Sequence, residues 1–354
     1  MHGEYKVPGG KLVVVDLDED GGVLRNVRVA GDFFLEPDEA LLAVNRALEG
    51  APTTADARQL AGRIEADLPR DTVMYGLTAE GVAVAVRRAI AQATDWTDYD
   101  WQLIHERPQS PALHMALDEV LTTEVAAGNR PPTLRVWEWG APAVVIGSFQ
   151  SLSNEVDAQA AQRHGMTVVR RISGGGAMFV EPGNTITYSL SVPASLVSGL
   201  SFADSYAYLD DWVLGALDDM GIKAWYQPLN DIATDVGKIA GAAQKRIVGP
   251  NGGEGAVLHH VTMSYDIDAD KMLEVLRIGR EKLSGRGTGS AAKRVDPLRR
   301  QTGLTREAVI GRMVESFRER YGLTSGHITS QESERAARLA ASKFTSPEWT
   351  GRVP

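Results

Sequence analysis

A run of three glycines follows two arginines and a predicted strand, and this arrangement is the first candidate for a binding site. The stretch reads Arg170-Arg171-Ile172-Ser173, followed by glycines at 174–176. Glycine lets the backbone reach positive φ and lets a ligand approach the main chain, and the N–H groups of such a turn can bind an anion. Arginine side chains match phosphate and carboxylate oxygens. A plain tight loop explains the glycines alone equally well, because the spacings of the phosphate-binding and dinucleotide-binding motifs are both missing.

A lysine and a pair of histidines further along the chain extend the candidate site. Lys238 follows Asn230 and Asp231 and lies among small and apolar residues. This setting predicts a desolvated ammonium that faces negative charge on a phosphate or carbonyl oxygen, although a solvated surface lysine is the commoner alternative. The adjacent His259 and His260 have no third metal ligand at helical or hairpin spacing. We therefore expect a strand whose histidines form hydrogen bonds near the site.

The composition restricts the class of protein. The chain has 354 residues, a formal net charge of -9 and 43% hydrophobic residues. These values predict a globular protein of two domains, with one large domain as the alternative, and argue against a nucleic-acid partner. It contains no cysteine, so disulfides, thiolate metal sites and a cysteine nucleophile are excluded. No apolar run approaches the ~20 residues that cross a bilayer, and the N-terminal residues lack the apolar core of a secretion signal. We expect no membrane partner and a cytoplasmic location.

Hydrophobic periodicity divides the chain into a small and a large domain. Strand patterns followed by three helix patterns predict a small α+β domain over residues 1–93. The polar and acidic residues 94–100 are predicted to form a linker, residues 101–345 the main domain and residues 346–354 a C-terminal tail. The predicted strands of the small domain lie within 8–35, and its helices at 37–50, 55–68 and 78–92.

Strands and helices alternate irregularly in the main domain. A helix is predicted after Ser110-Pro111. Residues 134–139 and 143–147 are predicted to pair as strands around a turn, and a strand at 167–170 leads into the glycine turn. This mixture favours an α+β or mixed α/β fold with a mostly antiparallel sheet.

Four motifs together resemble the lipoate–protein ligase family in their order and spacing. They are segment 170–179 with Gly183-Asn184-Thr185, then Asn230-Asp231-Ile232, then Lys238-Ile239-Ala240-Gly241-Ala242-Ala243-Gln244-Lys245-Arg246, and then His259-His260-Val261-Thr262. The resemblance covers about residues 101–345 and implies a class II biotin/lipoate ligase-like catalytic domain, α+β with a mostly antiparallel sheet. Residues 1–92 resemble the family's small α+β accessory domain, here placed before the catalytic domain.

The resemblance implies an ATP-dependent lipoate–protein ligase. Such an enzyme joins lipoate to ATP as lipoyl-adenylate, releases pyrophosphate, and passes the lipoyl group to a lysine of a carrier domain. The implied carriers are the lipoyl domains of 2-oxo acid dehydrogenase complexes and the glycine cleavage H protein, and a monomer is expected. Carried over to this chain, Lys238 is the catalytic residue and Asp231 a ligand of Mg²⁺. The other implied nucleotide and lipoate site residues are Arg171, Ser173, Gly174, Gly175, Gly176, Ala177, Met178, Phe179, Asn184, Asn230, Gly241, His260 and Thr262.

One departure from the family pattern bears on the choice of acid. The family commonly has His-Asp where this chain has Val180 and Glu181. A ligase for a related medium-chain acid such as octanoate, and a non-catalytic lipoate or adenylate binder, therefore remain alternatives. An octanoyl transferase that works through a cysteine thioester is excluded because the chain has no cysteine. The Gly-Arg-Gly-Arg signature of biotin ligases is also absent, although Gly285-Arg286-Gly287 comes close to it.

Two further hypotheses concern the surroundings of the site. Trp137, Val145 and Phe179 are candidates for an apolar slot that takes the lipoyl tail, although burial in an ordinary core is the commoner role of such residues. Basic residues could help to dock a carrier domain, although most are expected on a solvated face. They are Arg170, Lys245, Arg246, Lys293, Arg294, Arg299 and Arg300.

Overall fold

The chain folds into two compact units in a computed structural model that describes residues 1–277 and 297–354. The first unit contains Met1–Asp98 together with Ser195–Tyr208, and the second contains Tyr99–Ala194 together with Leu209–Pro354. The segment Ser195–Tyr208 thus joins a unit that is distant in sequence. The basic residues Lys293 and Arg294 and the Gly285-Arg286-Gly287 stretch lie outside the described residues.

The first unit is a small α+β domain whose strands alternate buried apolar and exposed polar residues. In β2, for example, Val13, Val15 and Leu17 are buried. Asp56 begins one helix with a capping box that includes Gln59, and Thr78 caps another, in agreement with the predicted helix starts. The elements are an antiparallel sheet β1 (His2–Lys6), β2 (Leu12–Asp20) and β3 (Val23–Gly31), a ladder of β4 (Phe34–Glu36) with β5 (Val73–Tyr75), and helices α1 (Ala40–Leu48), α2 (Ala57–Asp67) and α3 (Ala79–Ile90).

The second unit is built on an eight-stranded sheet that is mostly antiparallel, as predicted. Two of its strand pairs, β6 with β7 and β16 with β6, are parallel. In the order of the sheet, its strands are β12 (Trp225–Gln227), β13 (Asp231–Ala233), β14 (Lys238–Ile247), β15 (Ala256–Ser264), β11 (Thr185–Pro193), β7 (Thr133–Trp137), β6 (Gln102–His105) and β16 (Thr324–Ser325).

A separate three-stranded sheet carries the strand that leads into the glycine turn. β8 (Ala143–Ile146) lies between β10 (Met178–Val180) and β9 (Thr167–Arg170). The predicted pairing of residues 134–139 with 143–147 is therefore wrong, because β7 belongs to the large sheet and β8 to the small one. Every residue of β7 and β8 is buried. Strands that are covered on both faces lack the alternation that would assign each one to a sheet.

A buried helix connects the two sheets. α4 (Pro111–Ala126) begins with Ser110 as its N-cap, and its apolar residues form one core with Trp137 of the large sheet and Val145 of the small one. Twelve of its 16 residues are buried, which is typical of a helix inside the core. The other described helices of the unit are α5 (Leu152–Glu155), α6 (Ala158–Arg163), α7 (Phe202–Asp219, which spans both units), α8 (Ala269–Val275), α9 (Leu298–Thr302), α10 (Arg306–Tyr321), α11 (Ser330–Leu339) and α12 (Pro347–Thr350).

The last residues of the chain pack against the strand before the glycine turn. Residues 346–354 were predicted as a tail, and they include helix α12. Trp349 Nε1 donates a hydrogen bond to the carbonyl of Arg170, at 2.8 Å. The Arg170 guanidinium, which is fully buried, donates in turn to the carbonyls of Thr350 and Val353. Arg170 therefore holds the C-terminal residues against β9.

Candidate active site

The glycine turn is held by the arginine beside it. The Arg171 guanidinium donates to the carbonyls of Gly174 and Gly176 at 2.6 and 2.8 Å, and its Nε donates to Ser173 Oγ at 3.0 Å. Gly175 has φ +89, which glycine adopts without strain. A Cβ on Gly147 would lie 2.2 Å from the carbonyl oxygen of Gly175, so glycine is needed there as well. Much of the hydrogen-bonding capacity of Arg171 is thus used to shape the turn.

A buried network continues from the turn into helix α4. Ser173 Oγ lies 2.6 Å from His260 Nε2, His260 Nδ1 lies 2.7 Å from one Asp118 oxygen, and Arg135 donates to the other at 2.7 Å. Each of these side chains is at least nine-tenths buried. Ser173 Oγ is held by His260 and accepts from Arg171, so the network also fixes the position of Arg171. Sequence reasoning missed Asp118 and Arg135, although an aspartate among the apolar residues of helix α4 is a usable signal.

The charge states within this network follow from burial and pairing. Burial raises the pKa of the Asp118 carboxyl, but Arg135 and His260 lower it by more, so the pKa lies below its usual value. Burial holds the pKa of His260 below its usual value, with Arg171 acting in the same direction, although Asp118 opposes them. The consistent arrangement is a neutral His260 that donates from Nδ1 to ionised Asp118 and accepts at Nε2 from Ser173.

Lys238 begins strand β14 and faces a carboxylate. Its Nζ lies 2.6 Å from Asp231 Oδ1, and the Lys238 side chain is 47% exposed. The expectation of a desolvated ammonium is therefore wrong for this state of the molecule. The side chain turns back over Gly241, where a Cβ would lie 2.9 Å from Nζ, so Gly241 makes room for it. Asn230 donates to the carbonyl of Ala242 at 2.6 Å and anchors the preceding loop.

These elements enclose a cavity of about 240 Å³. Ten of the predicted site residues line it: Arg171, Gly176, Ala177, Met178, Phe179, Asn230, Lys238, Gly241, His260 and Thr262. Five others do not line it and act from behind or beside it: Ser173, Gly174, Gly175, Asn184 and Asp231. The structure therefore brings the four sequence motifs together around one cavity.

One end of the cavity has an apolar wall that sequence reasoning did not find. Ile267, Met272 and Leu276 line it and pack near Phe179. The i, i+4 spacing of Met272 and Leu276 was the available signal. Trp137 and Val145, two of the three candidates for the apolar slot, are fully buried in the core, which is the commoner role of such residues. Trp137 stacks on His114 with ring centroids 4.8 Å apart, and only Phe179 of the three lines the cavity.

Glu181, at the position where the chain departs from the family pattern, contacts a neighbouring helix and the turn that follows it. Glu181 Oε1 forms an ion pair with Lys271 of helix α8, at 2.7 Å. The hydrogen bond to Glu181 raises the pKa of Lys271. Asn184 accepts from the Glu181 N–H at 2.7 Å, so it orders this turn and does not itself face the cavity. Because Met272 follows Lys271, the pair also links the apolar wall to the turn after β10.

Comparison with known proteins identifies the family. Residues 110–318, more than half of the chain, match the model of the lipoyl protein ligase A/B catalytic domain. The chain therefore belongs to the lipoyl protein ligase A/B family, and the catalytic unit has the class II biotin/lipoate ligase fold. The matched span begins after Asp98, where the N-terminal part of the first unit ends, and it includes the segment Ser195–Tyr208 of that unit.

Individual relatives within this family carry different names. The chain is 28% identical over 284 residues to an octanoyltransferase LipM from Kyrpidia tusciae, covering 71% of this chain and 98% of the relative. Among solved structures, it is similar to a bi-partite lipoate protein ligase from Thermoplasma acidophilum, at a TM-score of 0.62 with 24% identity, over 72% of this chain and 97% of that one. A lipoate-protein ligase A bound with ATP gives a TM-score of 0.60 with 22% identity, over 72% and 99%.

Two negative findings apply to residues 1–277 and 297–354. No helix in this part of the chain is long and apolar enough to cross a membrane. No group of three or more His, Cys, Asp or Glu side chains in it is arranged to hold a metal ion.

Proposed function

We propose that this chain activates a medium-chain carboxylic acid, with lipoate as the first candidate, by joining it to ATP, and then transfers the acyl group to a lysine of a carrier domain. The observation that supports this most directly is Lys238, whose ammonium reaches the cavity from the start of β14. Adenylation needs cationic groups where a carboxylate meets the α-phosphate of ATP, because like charges repel. Arg171 provides a second cation in the same cavity.

The same residues serve both proposed half-reactions. In the first, Lys238 and Arg171 neutralise the approaching carboxylate and phosphate, and pyrophosphate leaves. In the second, the carrier lysine attacks the acyl carbon of the mixed anhydride, and Lys238 stabilises the oxyanion. The acyl–phosphate bond then breaks, AMP leaves and the lysine amine loses a proton. The acyl-adenylate is itself activated, so no enzyme nucleophile is required. The half-exposed position of Lys238 is compatible with admission of a protein lysine between the two steps.

Asp231 is suited to provide one carboxylate ligand to Mg²⁺. This cation commonly takes one or two protein carboxylates and completes its coordination with substrate phosphates and water. Asp231 is partly exposed beside the cavity and is paired with Lys238, so it would exchange that partner for the metal. Mg²⁺ would supply charge neutralisation at the phosphates.

The names of the curated relatives favour a second candidate, octanoyl transfer. Such a reaction moves an octanoyl group from one carrier to another without activating a free acid. A transfer through a cysteine thioester is incompatible with this chain, which has no cysteine. Octanoyl transfer here would have to be direct, by attack of the acceptor lysine on the donor thioester with release of the donor carrier's thiol. Octanoate is also the second candidate acid for the ligase.

The proposed acceptors are the lipoyl domains of 2-oxo acid dehydrogenase complexes and the glycine cleavage H protein. The structure of the Thermoplasma acidophilum ligase was reported with its E2 lipoyl domain, which supports this class of partner. That ligase is bi-partite, and we propose the first unit of this chain as an accessory domain of the same kind, with the enzyme acting as a monomer.

One assay separates the candidates. ATP–pyrophosphate exchange is measured with lipoate, octanoate and biotin, and acylation of an apo lipoyl domain is followed by mass. We expect exchange with lipoate or octanoate and a matching mass gain. Octanoylation from an octanoyl carrier without any nucleotide, and no exchange with any acid, would instead support the transferase. Tight lipoate binding with neither activity would identify a binder.

A further inference from the structure

A ladder of polar side chains crosses the large sheet beneath the cavity. Directly opposed residues of an antiparallel pair point to the same face of the sheet. Residues 260, 262 and 264 of β15 all line the cavity, so the three rungs mark successive positions along it, about 7 Å apart. The rungs of β11 and β15 are Ser189 with His260, Thr187 with Thr262, and Thr185 with Ser264.

The two inner rungs have hydrogen-bond partners from the neighbouring strand β7 and from the segment that follows it. Trp137 Nε1 donates to Ser189 Oγ at 3.0 Å. Trp139 Nε1 donates to Thr187 Oγ1 at 3.1 Å, and Thr187 Oγ1 lies 3.2 Å from Thr262 Oγ1. The two indole N–H groups therefore provide hydrogen bonds to the hydroxyls of the two inner rungs.

The outer rung differs from the inner ones. Ser264 Oγ and Thr185 Oγ1 are buried, and neither has a hydrogen-bond partner in the part of the chain that the structure describes. Ser264 is only 5% exposed, yet it lines the cavity beside the apolar wall of Ile267 and Met272. An unsatisfied buried hydroxyl is destabilising, so a ligand atom that bonds to it gains affinity.

We propose that Ser264, supported by Thr185, reads the edge of the purine base of the nucleotide, an inference that rests on the proposed ATP-dependent activity. A purine needs apolar contacts on its faces and a hydrogen-bonding group at its edge. Phe179 and Met272 supply the apolar contacts at this end of the cavity, and Ser264 supplies the hydroxyl. A lipoyl or octanoyl tail does not satisfy that hydroxyl, because carbon cannot accept its hydrogen bond and sulfur accepts only weakly.

The position of Lys238 agrees with a nucleotide whose base lies at Ser264. Its Nζ lies over Gly241, which pairs with Thr262 on the middle rung. The reacting carboxylate and α-phosphate therefore meet above the middle of the ladder. The base extends from there to the outer rung at Ser264, and the acyl chain extends the other way, toward His260.

The test is a Ser264→Ala variant in the ATP–pyrophosphate exchange assay. We expect the KM for ATP to rise about 3- to 10-fold, the effect of one lost hydrogen bond, while the KM for the acid stays unchanged. The melting temperature should stay the same or rise, because an unsatisfied hydroxyl is removed. Ser316→Ala is the matched control. That buried serine donates to Asp219 at 3.3 Å and does not line the cavity, so its loss should lower the melting temperature slightly and leave the KM for ATP unchanged.

Other results would overturn the proposal. A higher KM for the acid with an unchanged KM for ATP would assign Ser264 to the acyl chain. A lower melting temperature with both constants unchanged would make the hydroxyl structural. Calorimetric titration of wild type and variant with AMP separates this inference from the proposed function. If exchange is absent but AMP binds more weakly to Ser264→Ala, only the proposed function fails, and if the wild type does not bind AMP, both fail.

Discussion

The two walls of the cavity are built in different ways. The polar wall consists of Arg171 and His260, which Ser173 connects from behind. All three side chains are at least nine-tenths buried, and hydrogen bonds connect them to helix α4. The apolar wall consists of Ile267, Met272 and Leu276, and its helix is tied to the turn after β10 by the partly exposed pair Glu181–Lys271. Buried networks rigidify a site, whereas partly exposed ion pairs contribute little energy and adapt easily. We infer that the polar wall fixes the chemistry and that the apolar wall adjusts to the ligand.

The largest effect is expected from Asp118→Ala, which breaks the polar wall at its buried end. This change leaves Arg135 without its carboxylate and His260 without its acceptor. Removing one partner of a buried ion pair typically lowers the free energy of unfolding by about 3–5 kcal/mol. Urea denaturation measures it, and Glu315→Ala, which removes an exposed ion pair with Arg318, is the control. A loss below about 1 kcal/mol would contradict the view that this wall is rigid because of the network.

Lys238→Ala should have the second-largest effect, and this effect should be a lower rate of pyrophosphate exchange. The loss of one donor that stabilises developing negative charge typically lowers the rate about 10²- to 10³-fold. Because the side chain is about half exposed, the melting temperature should hardly change. Pyrophosphate exchange measures the rate, with Lys245→Ala on the same strand as an exposed control. An unchanged rate in Lys238→Ala would remove this residue from the proposed mechanism.

Lowering the pH should decrease the free energy of unfolding before the carboxylates become protonated. Burial and the neighbouring Arg135 lower the pKa of His114 to about 3, although Glu138 and Asp118 act in the opposite direction. Below an unfolded pKa of about 6.5, the unfolded chain takes up a proton that the folded chain excludes. Stability is therefore fully present above about pH 6.5 and declines by up to about 1.4 kcal/mol per pH unit as the pH falls toward about 3.

The contribution of His114 can be isolated with a His114→Gln variant. Its free energy of unfolding should depend less steeply on pH between about 6.5 and 5 than that of the wild type. His260, whose pKa is also lowered by burial, should retain part of the slope. His2 opposes the trend because its hydrogen bonds to Asp16 and Glu4 raise its pKa, but it is exposed. Equal slopes in wild type and variant would show that His114 protonates in the folded state.

The smallest effect on stability is expected at the apolar wall. Lys271→Met removes the partner of Glu181, and a partly exposed pair of this kind is worth less than about 1 kcal/mol. Because the pair positions helix α8, we expect a several-fold rise in the KM for ATP with little change in kcat. Glu274→Gln removes an ion pair to His164 from the same helix, away from the cavity lining, and should leave both constants unchanged. Equal KM values in the two variants would show that the Glu181–Lys271 pair does not affect ligand binding.

The sequence was most informative where local backbone chemistry decides the outcome. The glycine turn, the capped helix starts and the strand that carries His259 and His260 all follow from short-range preferences, and they appear at the predicted places. The four motifs could be assigned to one site only because their order and spacing resembled a known family. Their residues are separated by up to about 90 positions in the chain, and no local pattern reports contacts over such distances.

Two outcomes depended on partners that are distant in sequence. Arg170 and Arg171 are neighbours of the same type, yet one holds the C-terminal residues and the other faces the cavity. Strands β7 and β8 look like a hairpin but join different sheets, because helix α4 lies between those sheets and buries both strands.

By itself, the amino-acid sequence determined the family-like motifs, excluded a cysteine nucleophile and indicated part of the secondary structure, because these depend on residue type and short-range spacing. Tertiary structure alone decided which polar groups are paired. It gave His260 the buried partner Asp118, gave Lys238 the partly exposed partner Asp231, and left the Ser264 hydroxyl without a partner among the described residues. The physical reason is that burial and pairing set the energy of a polar group, and both are created only when distant segments pack together.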